Sequence, residues 1–271
     1  MLISAIELLL TAATAAAFWA AAGRSPAWVF GAALRRFGVE PAYRTSILLA
    51  IAILAADIVE AQLDDKLTAA LGYDATPWIH WIEGDLGALF QRASWLPLTF
   101  VFTFFYVVAC PVILAAPLFL SAAEARLIDF RALIRGLAAN YLVCLPFYFF
   151  FPVKEMWAGN PTRVRLLVDD LSPAIMEAYR STSALDNCFP SFHTSLTVTA
   201  AILTARSGPR ALSVLVWISA AGVVLSTLYL GIHWMTDVVA GLILGVAAAW
   251  WAGIDRRSGA RPQSRSRAGP R

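Results

Sequence analysis

Long apolar runs separated by short clusters of charge dominate the pattern of this chain. Runs of about 17 to 25 apolar residues are long enough to cross a bilayer as helices, and they fall at roughly 2–22, 43–60, 96–120, 132–152, 189–206, 211–230 and 234–253. Charged residues cluster between the runs instead of alternating with apolar residues as they would on amphipathic soluble helices. The run at 43–60 is interrupted near its end by Asp57 and Glu60, and it reads either as a span or as a helix lying in the interface. The first run has the Ala-rich end of a signal peptide, but its start carries Glu7 and no Lys or Arg, so it reads as a retained helix. The expected fold is all-α: a polytopic transmembrane helix bundle of six or seven spans. Residues 1–95 hold the N-terminal spans and an acidic loop, 96–254 form the main helix bundle, and 255–271 form a disordered tail.

Composition narrows the class further. With 59% hydrophobic and only 14% charged residues, and a mean hydropathy of +0.68, soluble architectures are excluded. The net charge of +3 does not point to nucleic acid, because the basic residues sit where topology signals sit. The tail 255–271 holds six arginines against one aspartate, a composition that keeps a terminus cytoplasmic and touches anionic headgroups. Arg24, Arg35 and Arg36 follow the first span, Arg126, Arg131 and Arg135 separate the third and fourth, and Arg206 and Arg210 separate the fifth and sixth. With seven spans all of these fall on the cytoplasmic side. The extracytoplasmic side then receives Asp64, Asp65, Asp74, Glu83 and Asp85, the segment 153–188, and the turn at Gly231 and Ile232. Trp78, Trp81 and Trp95 bracket the acidic loop as headgroup-depth aromatics do, and the stretch Trp78 to Trp81 is a candidate interfacial helix over a site.

Candidate chemistry concentrates at the starts of two late helices. The chain has three histidines and three cysteines. Cys110 and Cys144 fall inside apolar runs, where a thiol acts as a small hydrophobe; Cys188 reads as a packing residue beside a helix start. No pair of cysteines and no cluster of histidines offers a metal-ligand set, and no cofactor is called for. His193 lies in Cys188-Phe189-Pro190-Ser191-Phe192-His193, where Pro and Ser suit a first helical turn. His233 and Asp237 stand four residues apart in Gly231-Ile232-His233-Trp234-Met235-Thr236-Asp237, on one face of a helix. A carboxylate at the start of an apolar helix needs a partner, and the imidazole supplies it. By itself such a pair is as consistent with a satisfied buried histidine as with function; a second histidine at a neighbouring helix start on the same side favours function. His80 has no partner in sequence and reads as an interfacial side chain. Asp186 and Asn187 read as turn residues, and Gly241 and Gly245 as a close-packing stripe.

The stretch 150–245 resembles the type 2 phosphatidic acid phosphatase superfamily. Its second motif, Pro-Ser-x-His, is matched by Pro190-Ser191-Phe192-His193. Its third, Ser-Arg followed after five residues by His and three further by Asp, is matched by Ser226, His233 and Asp237, with Thr227 in place of the Arg. The first motif is broken, since Lys154 is followed at the expected distance by Pro161 and Thr162; Arg163 and Arg165 lie just beyond. Loss of the Arg is similar to the branch of inositol phosphorylceramide synthases and sphingomyelin synthases. The resemblance implies that 96–254 is a catalytic bundle working through a phosphohistidine: His233 as nucleophile, Asp237 orienting it, His193 as acid and then base. Phosphate would be met by Lys154, Arg163 and Arg165 and by N–H groups at Ser191 and Phe192. The implied substrate is a lipid phosphate or phospholipid, and the acceptor a second lipid or water. Transfer of a phosphate-bearing headgroup is the first reading and hydrolysis of a lipid phosphate or polyprenyl diphosphate the second; a non-catalytic lipid-binding or transport protein is the reading from a different class.

Overall fold

Proline stands in the first turn of the helices that begin near Pro26, Pro41, Pro77 and Pro97, where its missing N–H costs no hydrogen bond and its fixed φ starts the helix. A computed structural model describes residues 2–171 and 184–254; the side chains of Glu7, Asp64 and Asp65 and the tail 255–271 lie outside the described residues. The helices in chain order are α1 Leu2–Ala21, α2 Pro26–Val39, α3 Pro41–Leu71, α4 Thr76–Glu83, α5 Leu86–Gln91, α6 Leu96–Thr103, α7 Cys110–Ala123, α8 Leu127–Phe150, α9 Met156–Gly159, α10 Phe192–Ala205, α11 Arg210–Tyr229 and α12 Met235–Ala252. A π-helical turn, Phe104–Ala109, joins α6 to α7 into one long rod.

The molecule is an all-α bundle, and among the described residues five helical stretches are long and apolar enough to cross a membrane: Pro41–Leu63, Leu96–Ala123, Leu127–Phe150, Arg210–Tyr229 and Met235–Ala252. Ala12–Ala21 and Phe192–Ala205 are shorter apolar helices. All seven runs read from the sequence are therefore helical, and 43–60 belongs to a helix of spanning length. Its outward residues, among them Leu48, Leu49, Ile51 and Leu54, are exposed, as are Ile243, Val246 and Trp250 on α12. Apolar side chains so displayed over whole helix faces suit lipid and not water. Glu60, which interrupts the apolar run of α3, is buried and accepts a hydrogen bond from Asn187 Nδ2 at 2.9 Å, so the intrusion is a partnered contact.

Two elements differ from the sequence reading. The basic connection after the first span contains α2, started by Ser25, whose hydroxyl accepts from the Trp28 N–H, and docked through buried Val29 and Ala33. Its Arg35 and Arg36 give it an amphipathic pattern, which a search for uniformly apolar runs passes over. The acidic loop is also shorter than expected, because α3 continues through residues 61–71 until Gly72 closes it with φ 63°, the left-handed conformation that glycine adopts without cost. What remains, 72–95, is itself built around α4 and α5.

The two ends of the bundle are held differently. At one, Arg24 and Arg126 both meet Glu124, at 3.1 and 3.0 Å, and Arg126 also reaches Asp129 and the Ser207 carbonyl. Above them lies an apolar core containing Phe18, Ile113, Leu120, Phe130 and Val216. At the other end two smaller cores, one around Tyr106, Tyr229 and Leu230 and one around Ile79, Met156 and Trp234, meet at the turn 230–234. That turn carries His233.

Candidate active site

Helix α12 cannot begin where it does without two supports. Gly231 takes φ 84°, and a Cβ there would lie 2.5 Å from the Arg165 carbonyl oxygen, so only glycine lets the chain pass. The first residues of α9 then hold the turn by their backbone: Met156 N–H donates to the Ile232 carbonyl at 3.0 Å and Trp157 N–H to that of Gly231 at 2.9 Å. The carboxylate of Asp237 reaches back to the Trp234 N–H at 2.8 Å, and Glu83 of α4 accepts from the Met235 and Thr236 N–H groups and the Thr236 hydroxyl. The open donors of the first turn, which prefer negative charge, are thus met by two carboxylates.

Helix α10 lies against α12 at unusually close range. A Cβ on Gly241 would sit 2.6 Å from the Ser191 carbonyl oxygen, and one on Gly245 2.7 Å from that of Ser195; the absent side chains permit the approach. Ser191 N–H donates to the Asp237 carbonyl at 3.0 Å, and Thr199 Oγ1 donates to the Gly245 carbonyl at 3.0 Å. Ser191 Oγ caps α10 by accepting from Thr194 N–H. The result is that the His193 and His233 rings face each other with centroids 6.1 Å apart.

Around this pair the surroundings are dry on one side. His233 is 4% exposed and Asp237 0%, with Nδ1 of His233 3.4 Å from Asp237 Oδ2 and 3.3 Å from Cys188 Sγ. Both contacts lie on Nδ1, which leaves Nε2 as the nitrogen free of them. Burial pushes the His233 imidazole down to about 3, so it is neutral near pH 7 and keeps a lone pair. Burial likewise raises the Cys188 thiol, with the Asp237 carboxylate adding to the effect; the thiol stays protonated. His193 is half-buried, and the ring of Tyr106, from the π-helical turn, packs on it with centroids 4.7 Å apart. A π-turn displaces one helix face locally and recurs at functional sites.

Of the residues singled out in the sequence, His193, His233, Asp237 and Ser191 come together. The basic residues do not join them through a side chain: Lys154 pairs with Asp74 at 2.8 Å, Arg163 with Asp85 at 3.4 Å and Arg165 with Asp170 at 3.2 Å, all substantially exposed. Lys154 nevertheless adjoins the site through its backbone, since its carbonyl accepts from Trp234 Nε1 at 2.9 Å. Of the two expected N–H donors, that of Ser191 is taken by Asp237, leaving that of Phe192. Thr227, where the resemblance expects Arg, is buried, turns its hydroxyl to the Val224 carbonyl, and uses its own carbonyl to accept from the Ile232 and His233 N–H groups at 3.0 Å each.

Sequence reasoning missed four neighbours. Tyr106 and Glu83 lie far away in the chain and carry no motif. His80 was without a partner in sequence, yet its ring packs on Trp234 with centroids 5.8 Å apart. Cys188, read as a packing residue near the chemistry, is buried there; what the sequence did not indicate is its contact with His233 Nδ1 at 3.3 Å.

Fold and site together describe a multi-pass membrane protein in which two imidazoles meet where helices begin. Residues 138–257 match the PAP2 superfamily, so a PAP2 superfamily domain occupies the stretch from within α8 past the end of α12, and every site residue named from the motifs falls inside it. No curated protein and no solved structure matches the chain. The domain supports an enzyme of the lipid phosphatase or phosphotransferase type acting in a membrane setting.

Proposed function

We propose that this protein transfers a phosphate-bearing headgroup between lipids through a phosphohistidine on His233, at the extracytoplasmic face. The observation that carries the reading is the facing of the His193 and His233 rings, 6.1 Å between centroids, with Asp237 on Nδ1 of the second. In the first half-reaction Nε2 of His233 attacks phosphorus while His193 gives a proton to the departing alkoxide. In the second, His193 removes a proton from the acceptor hydroxyl, which attacks the phosphohistidine and frees His233. Asp237 keeps the remaining N–H on Nδ1 and stabilises the charge that grows on the ring. The arriving phosphate favours an imidazolium at His193, as any anion between two imidazoles does.

Transfer is preferred to hydrolysis on two counts. Thr227 stands in place of the Arg that the simple phosphatases place on phosphate, and α4, tied to the first turn of α12 through Glu83, would screen the site from water and favour acceptors arriving from lipid. Lys154, Arg163, Arg165 and the Phe192 N–H are the proposed phosphate contacts. The arginines concentrated at the opposite end of the bundle support the orientation, with the chain terminus cytoplasmic.

The test is protein reconstituted with a phosphate-labelled phospholipid and candidate lipid acceptors. Labelled new phospholipid is expected, with little label in a water-soluble phosphomonoester of the headgroup, and His233→Ala should reduce both below detection. Label that appears only in that water-soluble phosphomonoester makes water the acceptor and the protein a hydrolase. Equal turnover by wild type and His233→Ala sinks the phosphohistidine.

A further inference from the structure

Nδ1 of His233 is unusually crowded for a nitrogen that needs only one hydrogen-bond partner. Cys188 Sγ stands 3.3 Å away and Asp237 Oδ2 3.4 Å away, and the three atoms all lie within 4.8 Å of one another. A tetrahedral zinc ion with bonds of ~2.3 Å to sulfur and ~2.0–2.1 Å to nitrogen or oxygen separates its ligand atoms by roughly 3.3–3.6 Å. The two separations from Nδ1 already fall in or near that range, and the third lies within 4.8 Å. Thiolate, imidazole and carboxylate are also the donor types that such a borderline-soft cation prefers. A second observation points the same way: Asp237 is fully buried, yet its Oδ1 makes no hydrogen bond, an orphaned acceptor that a cation would satisfy.

We propose that Cys188, His233 and Asp237 form an inhibitory site for a thiophilic divalent cation, zinc in water and cadmium as its probe. Binding replaces the thiol proton with the metal and releases that proton to solvent. The cation takes the Nδ1 lone pair, so the single hydrogen of the neutral imidazole must sit on Nε2. Nε2 then has no lone pair to offer phosphorus. Cation binding rests on the cluster alone; inhibition rests on the proposed role of His233.

The purified, metal-free full chain is titrated with Cd²⁺ and the thiolate-to-cadmium charge-transfer absorption is followed. A band saturating at one cadmium per chain is expected in wild type and in the Cys110→Ser/Cys144→Ser double variant. It should vanish in Cys188→Ser, and in Asp237→Asn binding should weaken at least ~10-fold, the low end of the effect of disturbing a metal site. Zinc should displace the cadmium, and in the transfer assay zinc should inhibit wild type reversibly on chelation. An absent band in protein that turns over substrate overturns the site, as does zinc inhibition undiminished by Cys188→Ser. A Cys188-dependent band in protein without any turnover keeps the cation site and instead sinks the proposed function.

Discussion

The buried histidine centre and the exposed basic rim follow opposite designs. In the centre, His233 and Asp237 are 4% and 0% exposed, and backbone contacts from three other segments fix the turn that bears them. On the rim, Lys154, Arg163 and Arg165 have side chains 47%, 65% and 67% exposed, and each already holds a carboxylate. Groups that must be aimed within a few tenths of an ångström are built in before substrate arrives. Groups that only supply charge are kept in exchangeable pairs, which contribute little to stability and, on the proposed function, would release a cation when a phosphate competes for it. On that reading preorganisation belongs to the chemistry and not to substrate capture.

The largest effect that sharpens this contrast is expected at Asp237. Asp237→Asn keeps the shape but loses the charge, and headgroup transfer should fall by about 10²–10⁴-fold, the usual contribution of a general acid–base device, with KM little changed. An equal loss in KM would move Asp237 to the rim side of the comparison. Next comes the wall that sets the ring spacing: Gly241→Val drives a side chain against the Ser191 carbonyl, 2.6 Å from the first added carbon. It should destabilise by about 1–3 kcal/mol as overpacking does, read as a lower melting temperature in detergent, with loss of turnover in whatever remains folded.

Titration of the centre gives a third expectation. His233 is held down to about 3 by burial, against roughly 6.5 in an unfolded chain. Below that unfolded value the unfolded state gains a proton that the folded state refuses, so this contribution to stability is complete above about pH 6.5 and is lost as pH falls toward 3. The melting temperature should drop over that window, and His233→Gln should flatten the drop; parallel curves for the two proteins would place the imidazole in water. The smallest effect belongs to the rim. Asp74→Asn frees Lys154, and from the ~0.2–1 kcal/mol of an exposed ion pair KM for a lipid phosphate should fall no more than about 5-fold with kcat unaltered. A change in kcat would join rim to centre.

Legibility from sequence followed the range of the interactions. The apolar runs are local, one helix long, and they appear in the structure as read; the His233 to Asp237 spacing also brings the two together, but His233 stands in the turn before α12, whose first turn carries Asp237, and not on a shared helix face. Helix α2 escaped because its apolar stripe is narrow and mixed with Arg35 and Arg36. The extension of α3 escaped because charged helix formers continue a helix as well as apolar ones do until Gly72. Glu83, Tyr106 and Cys188 meet the centre across long stretches of chain, through distances that no spacing rule encodes. The same reason hid the acids that pair with Lys154 and Arg163: Asp74 and Asp85 are supplied by the segment before α6.

The main-chain link from Ser191 to Asp237 has one further implication. Because the histidine-bearing helices are joined amide to carbonyl, the opening between the rings behaves as a caliper locked at a single setting. On the proposed reaction such a jaw would grip one kind of atom, phosphorus with its oxygens, whatever molecule carries it. Discrimination among lipids would then be exercised outside the jaw, by the shape of the space left for chain and headgroup, where new specificities could evolve without resetting the gap.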